Sequence, residues 1–426
     1  MRLAPHLRLS SISLSVALLW VASLIADEKA ETVTDELSSE AKEEILLQIG
    51  EVLEKRAFAF DVDFDDWQEH LDTHRDLIDE AHSPETFARA VQKSLSEFGI
   101  SHLAIAPPQK AKAYRQAKQI GLIGVYSTET DRGYIVTRIA QSSPAYKAGI
   151  RKLDIVLEID GYPPGEAYKH RDPNAIERQI KWQRGDETFE KRIQISPYTP
   201  SDPPTLEWID GHIAVLRVMS FGHKQYKLSR VSKLLRQTKG ASGIIVDIRG
   251  NGGGFIHHYL HLASRFSKNS QAMHIRIDRS SYEKAKRKAG HSKPSIDYLI
   301  EHGGKGKPWG FVSAFSGPFV VLTDGYCASA GDIFPAAMQE IAGATIIGRP
   351  TRGALLASTF KRLPEGFSLQ FPIWEMVTPS GRRLEGEGLE PDILLTIEQT
   401  ADDDYILNVA RETIEAKLLN SEVSHN

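Results

Sequence analysis

The apolar run Gly243 to Val246 passes directly into Asp247-Ile248-Arg249-Gly250-Asn251-Gly252-Gly253-Gly254, and no other segment limits the possible folds as much. Consecutive glycines at a strand end admit φ angles closed to other residues and leave backbone N–H groups uncovered. Such a loop is either an anion site, for a phosphate or a developing oxyanion, or a plain turn. No Gly-Lys-Ser/Thr follows, so it is not a nucleotide phosphate loop. The spacing also differs from the dinucleotide-binding fingerprint.

The surrounding sequence sets the fold class. From 205 to about 415, the apolar segments Ile213 to Val218, Gly243 to Ile248, Phe319 to Leu322 and Thr345 to Ile347 alternate with helical stretches. That pattern predicts an α/β domain with largely buried strands. Within it, Ser280 to Lys307 is polar and lysine-rich and reads as a solvated surface excursion. Residues 31 to 118 predict helices: Ile45, Leu46, Ile49, Val52 and Leu53 recur at helical spacing, and Ser83-Pro84-Glu85 is a helix start. Residues 119 to 197 change to short apolar runs separated by turns, Tyr134-Ile135-Val136 and Ile155-Val156-Leu157 among them, which predicts a small β-rich module. A proline-rich linker, Tyr198 to Pro204, follows.

With 426 residues the chain suits two or three domains. A formal charge of −4 argues against general nucleic-acid binding, which needs a basic excess. Residues 1–26 read as a signal peptide: Arg2 and Arg8 lead, Ile12 to Ile25 is apolar, and Asp27-Glu28 follows Ala26. Cleavage after Ala26 removes two arginines and no acid, taking the charge from −4 to −6. The expected location is therefore exported, periplasmic or secreted, with an uncleaved N-terminal anchor as the alternative. No later segment is apolar enough to span a bilayer. Cys327 stands alone, which excludes an intrachain disulfide and a cysteine-based zinc cage.

A second chemical motif lies at Val320-Val321-Leu322-Thr323-Asp324-Gly325-Tyr326-Cys327-Ala328-Ser329-Ala330-Gly331-Asp332. A strand runs through small residues into a helix, and Ser329 stands at its start. Its hydroxyl is either an N-cap or a nucleophile in the positive field of the helix terminus. Cys327 reads as a buried small apolar residue.

Together the two motifs resemble the core of the C-terminal processing and tricorn protease superfamily. The likeness continues through Met338-Gln339-Glu340, Ile347-Gly348-Arg349-Pro350-Thr351-Arg352-Gly353, Thr378-Pro379-Ser380-Gly381 and Glu385-Gly386-Glu387-Gly388-Leu389-Glu390-Pro391-Asp392, about 190 residues in all. The resemblance implies a crotonase-like, ClpP-like α/β core in a multi-domain α/β protein, and serine-type hydrolysis of polypeptides. It implies Ser329 as nucleophile and the amides of Gly254 and Ala330 as the oxyanion hole, with no metal or organic cofactor.

In the branch that uses a lysine base, lysine follows the glycine matching Gly353; here Ala354 stands there. Lys361 is the nearest lysine onward but does not match the motif. The tricorn branch takes a histidine from the helical segment, and Ser101-His102 matches it in placement. By that likeness His102 is the base, Ser101 a polar partner, and Glu385, or else Glu387, the orienting carboxylate. The alternatives are a displaced lysine, a non-catalytic scaffold, or a binder of apolar ligands. The middle module resembles a PDZ domain through Ser143 to Ile150 followed by Asp154 to Gly161, with Leu153 where glycine is usual. Gly121, Leu122, Ile123 and Gly124 stand where such domains bind a peptide carboxylate by backbone amides. Oligomeric state is not readable from the sequence.

Overall fold

A computed structural model describes residues 36–116, 123–167, 175–199, 201–267, 271–290, 292–309 and 314–423. The expected signal peptide lies outside the described residues.

The N-terminal region comprises α1 (Ser39–Arg56), α2 (Trp67–Thr73), α3 (Arg75–Asp79) and α4 (Pro84–Ser96). Ser83 caps α4 in a reciprocal capping box with Thr86, and Pro84 fills the first helical turn, where its missing N–H has no cost. A turn at Gly99 leads to the short strand β1 (Ala104–Ala106) and then α5 (Pro108–Arg115).

The middle module is one antiparallel sheet in sequential order: β2 (Val125–Thr130), β3 (Gly133–Ile139), β4 (Ile155–Ile159), β5 (Glu177–Arg184) and β6 (Glu187–Gln194). The helices α6 (Pro144–Ala148) and α7 (Pro164–Ala167) lie in its connections. It has its own core of Val136, Ala145, Ile150, Val156, Ile180, Trp182 and Ile193. Leu153 takes φ +69°, a left-handed turn position that glycine fills without strain.

In the C-terminal region β7 (Thr205–Ile209) and β8 (Ile213–Arg217) form a hairpin, followed by α8 (Leu228–Gln237), β9 (Gly243–Asp247) and α9 (Ile256–Ala263). Next come β10 (His274–Asp278), α10 (Arg279–Lys288), α11 (Ile296–His302) and β11 (Gly304–Gly306). The lysine-rich segment thus forms two helices and an edge strand. β12 (Phe319–Thr323), α12 (Ala330–Ala342), β13 (Thr345–Gly348), β14 (Leu356–Arg362), β15 (Ser368–Val377), β16 (Ile393–Leu394), α13 (Ile397–Ala401) and α14 (Asp403–Val423) complete the chain.

All four expected buried strands lie in one sheet, ordered β16-β13-β12-β9-β8-β7 and parallel except at β7. Strand side chains alternate between faces. Ala214, Leu216, Ile244, Val246, Val321 and Ile346 pack on α9 and α12. Ile213, Val215, Ile245, Val320, Leu322 and Ile347 pack on Ile406, Ala410 and Ile414 of α14. Cover on both faces is why these strands read as unbroken apolar runs.

A second, antiparallel sheet joins β1, β15, β10 and β11, with β14 on β15. Here the N-terminal region enters the core. Ala104 to Ala106 pair with Ser368 to Gln370, and the helices share one hydrophobic cluster with Leu356, Leu363, Phe367, Leu369 and Phe371. That pairing fixes the residues just before β1, including Ser101 and His102, against the α/β domain.

Candidate active site

Ser329 follows β12 and immediately precedes α12, at φ +56° and ψ −117°. A non-glycine residue held there is strained, and such strain persists only where surrounding contacts enforce it. Its N–H donates to the Ala354 carbonyl at 2.8 Å, while its carbonyl accepts from Asp332 and Ile333. The hydroxyl caps no helix amide, so the N-cap reading of Ser329 does not describe this geometry. Cys327 is fully buried and donates its thiol to the Ile248 carbonyl at 3.1 Å, and burial pushes that thiol's pKa up. It faces the core, as expected.

The glycine loop packs on this turn. Gly253 takes φ +95°, and a Cβ there would lie 2.6 Å from the Ala328 carbonyl oxygen and 2.7 Å from the Ser329 Cβ. Its own N–H donates to the Asn251 side chain at 2.9 Å, and its carbonyl accepts from Phe221. Gly254, at φ +141°, abuts the Phe221–Gly222 backbone. Among the described residues, neither the Gly254 nor the Ala330 N–H donates to a backbone carbonyl in a turn or loop. The sequence marked this loop but did not single out Gly253 as the residue touching Ser329.

His102 lies in the turn before β1 at φ +59°. Its Nδ1 is 2.7 Å from Ser101 Oγ. Ser101 in turn reaches Glu385, its hydroxyl to Oε2 at 3.1 Å and its N–H to Oε1 at 2.8 Å. Glu385 Oε2 also accepts from the N–H groups of Leu355 at 2.6 Å and Leu356 at 3.2 Å. One carboxylate therefore joins the Ser101-His102 turn to the 353–356 strap, and Ala354 of that strap holds Ser329. Glu387 is exposed, and its backbone N–H donates to the Leu384 carbonyl at 3.1 Å.

Proton chemistry follows from these partners. With the Nδ1 proton donated to Ser101 Oγ, and the Ser101 proton donated to Glu385, His102 presents Nε2 as an acceptor. Burial, followed by the Arg352 charge, lowers the His102 pKa to about 4, so its imidazole is neutral near pH 7. Burial raises the Glu385 pKa against the opposing pull of its hydrogen bonds. Asp332, in the first turn of α12, is fully buried and accepts from Gly353 at 2.9 Å and Ala354 at 3.2 Å. Burial is also the main cause of its pKa of about 6. A lone acid among the small and apolar residues from Ala330 to Met338 was its sequence signal.

Among the described residues no lysine side chain hydrogen-bonds Ser101, His102, Ser329 or Glu385; Lys361 sits on β14 opposite Leu369. No cluster of histidine, cysteine and acidic side chains among them suits a metal ion. In the middle module, Gly121 and Leu122 lie outside the described residues. Ile123 is buried with its carbonyl accepting from Ala145 at 2.9 Å, and Gly124 takes φ +89° against Ser143. No helix among the described residues is long and apolar enough to cross a membrane.

The middle module docks on both loop motifs. Thr137 Oγ1 lies 3.2 Å from the Tyr326 hydroxyl, and the Arg138 side chain packs over Gly250. Lys152 pairs with Asp403 at 2.8 Å, which also holds Arg249 at 2.7 Å.

Comparison with known proteins agrees with this architecture. Residues 212–395 match Peptidase family S41. The carboxy-terminal processing protease CtpA of Bacillus subtilis (strain 168) is 24% identical over 284 residues, covering 64% of this chain and 55% of that protein. A putative tricorn protease homolog 2 of Streptomyces coelicolor is 23% identical over 358 residues, covering 77% of this chain and 28% of its own length. The chain thus spans about half or less of these relatives. Among solved structures, the photosystem II D1 C-terminal processing protease aligns with TM-score 0.55 at 18% identity, covering 88% of this chain and 98% of that one. Mature CPAF complexed with lactacystin aligns with TM-score 0.60 at 13% identity, covering 90% and 100%. At these identities the structures speak for the fold alone, while in sequence the chain is similar to C-terminal processing and tricorn proteases and matches the pattern of peptidase family S41 over residues 212–395.

Proposed function

We propose that this protein is a serine endopeptidase that cleaves exported polypeptides through an acyl-enzyme. Ser329 Oγ attacks the peptide carbonyl while His102 Nε2 takes its proton. The amides of Gly254 and Ala330 receive the oxyanion, where prearranged donors lower the barrier most. His102 then protonates the leaving amine and later activates water, which releases the acid product and restores the serine. Ser101 and Glu385 hold the imidazole in the required tautomer.

The observation that carries this reading is the Glu385 carboxylate. It binds Ser101, the hydrogen-bond partner of His102, and also the strap that fixes Ser329. A carboxylate–hydroxyl–imidazole relay, tied through Glu385 to the strap that holds the strained Ser329, would supply the base that Ala354 cannot. The middle module is assigned a PDZ-like role in engaging substrate, with the Gly121–Gly124 segment capturing an extended chain end.

Ser329→Ala and His102→Ala are each expected to abolish peptide hydrolysis while leaving the circular dichroism spectrum unchanged. In the wild type, Ser329 is expected to be the residue labelled by a fluorophosphonate probe. Undiminished cleavage by Ser329→Ala would refute the assignment.

A further inference from the structure

The proposed relay leaves Arg352 unused. Its backbone N–H donates to the Cys327 carbonyl at 2.8 Å, two residues before Ser329. The next two residues, Gly353 and Ala354, are pinned by Asp332. The strap therefore fixes where the Arg352 side chain departs. That side chain is exposed and lines a cleft shared with Gly250, Asp324 and Tyr326, which come from the two loop motifs of the site. Its charge also acts on the His102 imidazole, so the guanidinium lies near that ring.

A guanidinium offers five N–H donors in a planar fork. Arginines elsewhere in this fold use theirs on acids: Arg249 on Asp247, Arg184 on Asp154 and Arg383 on Glu375. Among the described residues, Arg352 has no side-chain hydrogen bond, ion pair or ring contact. The acids of the site are already committed. Asp324 accepts from the Gly250 and Tyr326 amides, Asp332 from the strap, and Glu385 from Ser101 and Leu355.

We propose that Arg352 binds a substrate carboxylate on the leaving-group side of the scissile bond, either an acidic side chain or a free chain terminus. This rests on the peptidase reading above. The base that removes the serine proton delivers it to the leaving amine, so His102 faces the departing half of the substrate. An exposed charge near His102, carried two residues from the Ala354 carbonyl that holds Ser329, is placed to meet the residues that follow the cut. Its fork matches a carboxylate in bidentate geometry, which neither a neutral amide nor a base reproduces.

The test uses three peptides that are identical before the cleavage site. One has glutamate soon after it and an amidated end, one has glutamine there and an amidated end, and one has glutamine and a short free C-terminus. The readout is the ratio of kcat/KM values within each enzyme form, so any loss common to all peptides cancels. Wild type should favour a carboxylate peptide over the neutral one by about tenfold, the scale of one exposed charge-assisted contact. Which carboxylate peptide it favours identifies the source. Arg352→Gln should bring the ratio to about one, Arg352→Lys should keep part of it, and Arg352→Glu should invert it. No preference in wild type, or a preference surviving Arg352→Gln, overturns the assignment of Arg352 alone. Failure to cleave any peptide, with Ser329 unreactive to the fluorophosphonate probe, overturns the peptidase reading and this one with it.

Discussion

Replacing Gly253 with alanine probes the contact between the glycine loop and the proposed nucleophile. The added methyl would sit 2.6 Å from the Ala328 oxygen, 2.7 Å from the Ser329 Cβ and 3.0 Å from the Ala330 nitrogen. Ordinary contact begins near 3.4 Å, so the two backbones must part by up to about 0.8 Å. None of those atoms ends a flexible side chain, so the turn bearing Ser329 or the loop bearing Gly254 has to move. A misplacement of about 1 Å costs roughly a hundredfold in rate. The positive φ of Gly253 adds about 1–2 kcal/mol of backbone strain, and the overpacking adds about 1–3 kcal/mol. Gly343→Ala is the control: it ends the same helix at φ +66°, with nothing within 4 Å of the new methyl. It carries the strain without the clash. The assay is kcat/KM on a fluorogenic peptide at a temperature where both variants keep the wild-type far-ultraviolet spectrum, with urea midpoints measured in parallel. Gly253→Ala should lose about a hundredfold in activity and more stability than Gly343→Ala, which should keep its activity. A folded Gly253→Ala enzyme within threefold of wild type would refute the contact's role.

Two further outcomes follow from the site. Because the His102 pKa lies at about 4, kcat/KM should hold steady from pH 7 to about 5 and fall by half near pH 4, whereas an ordinary imidazole would give a midpoint near 6.5. The same depression makes the unfolded chain bind the proton first, so His102 contributes stability above about pH 6.5 that is lost as the pH falls through 4; a midpoint near 6.5 in the activity profile would contradict the burial argument. Glu385→Gln puts an N–H₂ where a carboxylate oxygen accepts from either Ser101 or the Leu355 and Leu356 amides, so it should lower kcat by roughly a hundredfold or more with KM little changed, and equal kcat values would discount the relay.

Much of the α/β core was legible in the chain itself. The apolar runs at 213–218, 243–248, 319–322 and 345–347 are strands because both of their faces must be covered, and that requirement writes hydrophobic residues at every position. The glycine loop was equally plain, since only glycine tolerates the φ of Gly253 and Gly254 among crowded backbones. Ser83-Pro84 likewise announced the start of α4 through its unpaired amides. Local chemistry of this kind acts over a few residues, and sequence records it directly.

Other features depended on segments far apart in the chain. From sequence, His102 to Ala106 reads as either a short strand or an extended exit, and it is pairing with Ser368 to Gln370 that makes Ala104 to Ala106 a strand. The choice between Glu385 and Glu387 turned on which carboxylate reaches Ser101, 284 residues away, and two residues' separation in sequence contains no such information. That Arg352 has no acid partner among the described residues emerges only once the acids of the site are seen to be bound elsewhere. The order of residues specified which groups can bend, cap or accept a proton. Their meeting was decided by burial of β1 and the N-terminal helices against β14 and β15, a long-range gain in hydrophobic contact that brings the Ser101-His102 turn to Glu385 and the 353–356 strap.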